Sequence, residues 1–153
     1  MAPMDDVIVR KLDTVSRCLN RVRENTPPSL EILLEDYTRQ DVIVLNLERA
    51  VQACVDVGVH IFSDRNEPVP DSMGEVFLRL AQIGILDETT ARALKGTVGF
   101  RNVAVHAYEE IDYAIVFSIC TKHLDDFRAF ARQILSALDS SQRESEERIT
   151  NNE

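Results

Sequence analysis

TRQDVIVLNLERAVQACVDVGVHIF, residues 38–62, combines β-branched residues that suit a strand with a spacing that suits a helix. Its period therefore decides the fold class. Val44, Leu47, Val51, Val55, Gly58 and Phe62 recur at steps of three or four, which is one stripe of a helix with about 3.6 residues per turn. The β-branched run DVIVLNL lies inside that longer pattern, as VIVRKL does in its own segment, so both read as helical. Val42, Ile43, Leu45, Cys54, Val59 and Ile61 widen the stripe until the helix must bury more than one face. It reads as the central helix, one that a partner subunit could share.

The same period extends in both directions. From Asp5 to about Glu24, Ile8, Leu12, Val15, Leu19 and Val22 form one apolar face. TPPS, 26–29, ends that helix, because consecutive prolines lack amide donors and push the preceding residue out of the helical region. SLEILLEDY adds a short helix, and SDRNEPVPD, 63–71, is a polar loop. Ser72 and Glu75 have capping-box spacing ahead of a helix carrying Val76, Phe77, Leu80 and Ile83, which Gly84 can close. Asp87 suits the N-cap of another helix with Ala91, Leu94 and Val98 on its inner face. A last helix over 112–138 carries Val116, Ile119, Cys120, Leu124, Phe127, Ala131, Ile134, Leu135 and Leu138. The expectation is an all-α, up-and-down bundle of four main helices plus a short extra helix.

Composition supports one folded domain. The chain has 153 residues, 44% hydrophobic and 28% charged, with five glycines and five prolines, enough to bury a core without a staple. Residues 1–138 form the expected domain. Residues 139–153 hold five acids against two arginines and read as a solvated, partly disordered acidic tail. Cys18, Cys54 and Cys120 are odd in number and form no C-x-x-C pair, the pattern of reduced thiols. MAPMDDVIV lacks the order of a secretory signal, and no apolar run approaches the roughly 20 residues of a membrane span, so a cytoplasmic location is expected. The net charge of −9, still −6 without the tail, argues against a broad phosphate-binding surface. Nucleic-acid chemistry would need a small, local site.

RNVAVHAY, 101–108, supplies a candidate. Continuing the stripe through 91, 94 and 98 reaches 101 and 105, so Arg101 stands where a leucine is expected, and a buried arginine is costly without a partner or a ligand. Asn102 and His106, four apart, are neighbours on an adjoining face. Arg101 and His106 are about 140° apart around an ideal helix, so the helix bends or ends near His106, or the two flank a groove. The following EEID makes an ending nearby plausible, with Tyr108 at the bend. From spacing alone a bland reading stands beside this one. Arg101 can pair with Glu109 or Asp112, the histidine can be a satisfied core residue, and the tyrosine can simply pack.

The run matches R-N-x3-H-x-Y, and in that motif the chain resembles the HEPN domains, specifically their HepT-like toxin branch. The neighbourhoods LNLERAVQACVDVGVHI, PDSMGEVFLRLAQIGIL, VGFRNVAVHAY and HLDDFRAFARQIL extend the likeness over roughly 5–138. The resemblance implies a metal-independent RNA endonuclease, the toxin of a toxin–antitoxin pair, with no cofactor. It further implies a homodimer that pairs through helix faces, one motif from each subunit lining a shared cleft. Arg101, His106 and Asn102 would be its catalytic residues. A minimal nucleotidyltransferase antitoxin would neutralise it by AMPylating Tyr108. The alternative is a non-catalytic helical module that binds and regulates such a nucleotidyltransferase.

Other residues fit bland roles better. His60 reads as a core or capping histidine, and Cys120 with His123 is half a zinc site with no second pair. Lys122, Arg128 and Arg132 read as a solvated, salt-bridged face. No P-loop, G-x-G-x-x-G or nucleophile elbow is present.

Overall fold

A computed structural model describes residues 3–152; Met1, Ala2 and Glu153, the outer ends of the segments read above as N-terminus and acidic tail, lie outside the described residues. All regular structure among the described residues is helical. The first helix, α1 (Pro3–Asn25), buries Ile8, Leu12, Val15, Leu19 and Val22, the expected face, together with Cys18. It stops ahead of Pro27 and Pro28. The short α2 (Leu30–Glu35) starts at Ser29, whose hydroxyl accepts from the Ile32 amide. Asp36 then ends α2 and opens the next helix, its carboxylate accepting from the Arg39 amide at 3.1 Å.

That next helix, α3 (Tyr37–Asp64), is the 28-residue centre of the bundle and packs against α1 over much of its length. Its buried residues include Ile43, Val44, Leu47, Val51, Cys54, Val55, Val57, Ile61 and Phe62, which point to more than one side, as the width of the stripe requires. Complete burial of each such aliphatic side chain is worth about 1.5–3 kcal/mol, so this helix anchors the core. Gly58 marks a close crossing: a Cβ there would collide with Val76 Cγ1 of the following helix, α4 (Met73–Gln82).

Ser72 caps α4 by accepting from the Glu75 amide at 3.3 Å. At its far end Gly84, at φ +84°, completes a Schellman closure, with the Ile85 amide on the Leu80 carbonyl and the Gly84 amide on Ala81. The chain then enters α5 (Glu88–His106), capped by Asp87, whose carboxylate accepts from the Thr90 amide at 2.7 Å.

The last segment departs from the single helix expected. It begins as α6 (Tyr113–Ser118), widens into a π-helical turn over Ile119–His123, and continues as α7 (Leu124–Asn151). The inner stripe of α7 runs through Phe127, Phe130 and Ile134, and Phe130 meets Phe77 of α4 edge to face at 5.8 Å. Leu135, expected to be inward, is 46% exposed because it lies one position, about 100°, round from Ile134. Residues 139–151 continue α7 as a helix whose side chains are exposed throughout. The four long units, α1, α3, α5 and α6–α7, form the all-α bundle, with α2 and α4 as shorter pieces. No helix among the described residues is long and apolar enough to cross a membrane.

Candidate functional site

The chemistry-bearing run occupies the last turns of α5. Ala91, Leu94 and Val98 are buried, as expected, and Arg101 follows them on the inward side, half-buried. The stripe then steps to Ala104 rather than to Val105, which is 41% exposed against the 7% of Ala104. A step of three keeps the small alanine against the bundle as the helix nears its end. The helix does end at His106: Ala107 leaves helical geometry at φ −144°, ψ 51°, and a 3₁₀ turn over Tyr108–Glu110 follows.

Arg101 makes neither of the ion pairs that its neighbours offer. Its Nη2 donates to Oε1 of Gln52 on α3 at 3.1 Å, and its Nε is buried without an acceptor. Gln52 in turn donates to Asp56 Oδ1 at 2.9 Å, and Lys11 of α1 reaches Asp56 Oδ2 at 3.1 Å. The arginine is thus tethered through a neutral carboxamide, and the carboxylate at the far end of the chain is already matched by Lys11. No carboxylate pairs with Arg101 among the described residues, so no anionic side chain competes with a ligand for the guanidinium.

Asn102 and His106 share the outward face, and both are exposed. The His106 ring carries no hydrogen bond among the described residues and is open to an incoming group. Tyr108, 46% exposed, turns back to α3, where its hydroxyl donates to the Asp41 carboxylate. This contact holds the phenol protonated, raising its pKa well above the ordinary tyrosine value; burial and the neighbouring Tyr113 act in the same direction. The four motif residues therefore divide. Arg101 and Tyr108 are tied to α3, while Asn102 and His106 face solvent.

Sequence reading did not identify Gln52, Asp56, Lys11 or Asp41. Gln52 and Asp56, four apart in the otherwise apolar run 50–59, were the available signal. Of the remaining candidates, His60 is half-buried, and Lys122 and Arg132 are exposed and form no ion pair among the described residues, unlike the salt-bridged face expected of them. Cys120 is buried, which pushes its thiol up to about 11, while His123 Nδ1 lies 3.1 Å from Asp126. Arg128 pairs with Asp125 at 2.6 Å. Among the described residues no group of three or more His, Cys, Asp or Glu side chains is arranged to hold a metal ion.

An apolar groove of about 580 Å³ runs along the adjoining face of α5, against α6 and the π turn. Ala93, Gly96, Phe100, Val103, Ile115 and Ile119 line it, and the four motif residues do not. A Cβ at Gly96 or Gly99 would meet nothing within 4 Å, so this face of α5 is left open by its own chain.

Known proteins share both this sequence and this fold. The ribonuclease HepT-like family matches residues 15–134. The mRNA nuclease HepT of Shewanella oneidensis is 35% identical over 127 residues, covering 83% of this chain and 95% of that protein. The tRNA nuclease HepT of Aphanizomenon flos-aquae is 28% identical over 139 residues, covering 90% and 95%. Among solved structures, the tri-AMPylated Shewanella oneidensis HEPN toxin in complex with its MNT antitoxin superposes with a TM-score of 0.80 at 34% identity, covering 89% of this chain and 99% of that one. The family match over most of the chain, the 35% identical relative and the shared helical bundle show that the chain belongs to the HepT-like ribonuclease family.

Proposed function

We propose that the chain is the toxin of a toxin–antitoxin pair, a metal-independent RNA endonuclease that works in the cytoplasm as a homodimer. The observation that carries this reading is the unpaired charge of Arg101, held on α3 by Gln52, on the same helix end as the unencumbered ring of His106. In RNA cleavage without a metal, the 2′-hydroxyl attacks the adjacent phosphorus, one proton leaves that hydroxyl and another reaches the departing 5′ oxygen. A histidine, with an ordinary pKa of about 6.5, serves either transfer near neutral pH. Arg101 binds the phosphate oxygens and the charge that builds on them, and Asn102 orients His106 or the phosphate.

Each chain supplies one motif histidine, whereas two proton transfers call for two groups. A second copy provides the other. This arrangement concentrates positive potential in a cleft on an otherwise acidic protein. Neutralisation follows from a nucleotidyltransferase antitoxin that transfers AMP to Tyr108, two residues from His106. The added phosphate and nucleoside would fill the cleft and compete for Arg101.

The test is RNA cleavage by purified dimer in the presence of a chelator. Wild type should cut, and His106→Ala should be slower by about 10²–10⁴ with an unchanged melting temperature. Equal integrity of RNA with both proteins sinks the enzyme reading and leaves the interaction module.

A further inference from the structure

We propose that Asp41 is the general base for nucleotidylation of Tyr108, taking the phenol proton as the tyrosine oxygen attacks the α-phosphorus of a nucleoside triphosphate. The inference rests on the reading of Tyr108 as the acceptor.

The geometry puts the carboxylate on the reacting atom. Tyr108 stands on the turn just beyond α5, exposed enough for a nucleotide and a second enzyme to reach it, and its hydroxyl already donates to Asp41, 67 residues earlier in the chain. Asp41 lies near the start of α3, is itself exposed, and forms no ion pair among the described residues; the nearby Arg39 is taken by Asp36 at 3.3 Å. No cation among the described residues therefore competes with the phenol for this carboxylate. An exposed phenol–carboxylate contact is a poor investment in stability, since water competes for both groups. It is a useful arrangement for proton transfer.

The hydroxyl needs such a group. Beside Asp41 the phenol stays protonated, and a neutral phenol is a weak nucleophile. As the oxygen–phosphorus bond forms, the phenol becomes far more acidic, and the carboxylate already hydrogen-bonded to it can then take its proton. The step balances: the Tyr108 Oη–Pα bond forms, the bond from Pα to the bridging oxygen breaks, and pyrophosphate leaves with the electron pair. The proton passes to Asp41 and from there to solvent. The product is a tyrosyl phosphodiester, which has no proton left to donate to α3.

The experiment incubates full-length wild type, Asp41→Asn, Asp41→Glu and Tyr108→Phe with the cognate minimal nucleotidyltransferase and magnesium ATP, and follows AMP incorporation by intact mass. Asp41→Asn should lower kcat for the first AMP by about 10²-fold or more, with little change in KM, in thermal melting or in RNA cleavage. Asp41→Glu should recover most of the loss, and Tyr108→Phe should take no AMP. Modification of Asp41→Asn at the wild-type rate overturns the inference while leaving Tyr108 as the acceptor. So does a defect confined to KM, or one that Asp41→Glu fails to repair, since either marks Asp41 as a docking or tethering contact. If Tyr108→Phe is still modified, the acceptor reading itself falls, and the inference with it.

Discussion

The two halves of α5 are built from the same backbone to opposite ends. Its first half, from the Asp87 cap to Val98, is capped at its start and buried along its inner stripe, although its side at Gly96 stays open. Gln133 of α7 grips the helix start, accepting from the Asp87 amide at 2.8 Å and donating to the Asp87 carboxylate at 2.9 Å, while Leu94 beneath is fully buried. Its second half leaves polar groups unfinished, Arg101 with an orphaned Nε and Asn102 and His106 in solvent, and the turn just beyond it sets Tyr108 on a carboxylate. Groups left this way cost stability, and they are useful only where a ligand completes them. One helix thus anchors the bundle with one end and presents chemistry with the other.

Substitutions can separate the halves. Leu94→Ala should cost about 2–5 kcal/mol of stability, read by denaturant unfolding, while the protein that remains folded keeps its rate of RNA cleavage. Arg101→Ala should reverse that pattern, lowering cleavage by roughly 10²–10³ with a melting temperature close to wild type. If Arg101→Ala unfolds the protein instead, the second half is structural and the contrast is lost. Gln52→Leu tests whether the tether matters: removal of the carboxamide should reduce kcat about tenfold and leave Arg101 charged, an intermediate effect seen in cleavage kinetics and not in unfolding. The smallest effect is expected at Asp87. Its folded-state pKa is lowered, chiefly by the Thr90 backbone hydrogen bond, so its contribution is present above the unfolded carboxylate pKa and fades as pH falls through the folded value. Asp87→Asn should lower the melting temperature slightly near pH 7 and flatten the acid limb, so that the two proteins converge in thermal melts near pH 2.

The bundle itself was largely legible in the sequence. The helix faces of α1 and the first half of α5 and the main stripe of α3 follow from spacing alone, although Leu45, expected to widen that stripe, is 43% exposed; the breaks at Pro27 and Pro28 and the closure at Gly84 follow too. Arg101 was legible too, as the polar residue on an apolar stripe. The exposed Val105 and Leu135 show where the reading weakens. A stripe gives the direction of a face to within about one residue, and the end of a helix or an inserted π turn is enough to shift it.

What the sequence by itself determined is local: which segments are helical, where they start and stop, and that four polar residues gather at the end of α5. Periodicity and capping act over a few residues, so they can be read without knowing the rest of the chain. Only the tertiary structure decided what those residues meet. Gln52 lies 49 positions from Arg101 and Asp41 lies 67 from Tyr108, and both contacts depend on how α5 is rotated and crossed against α3. Packing of the buried faces sets that rotation, and the polar partners follow from it.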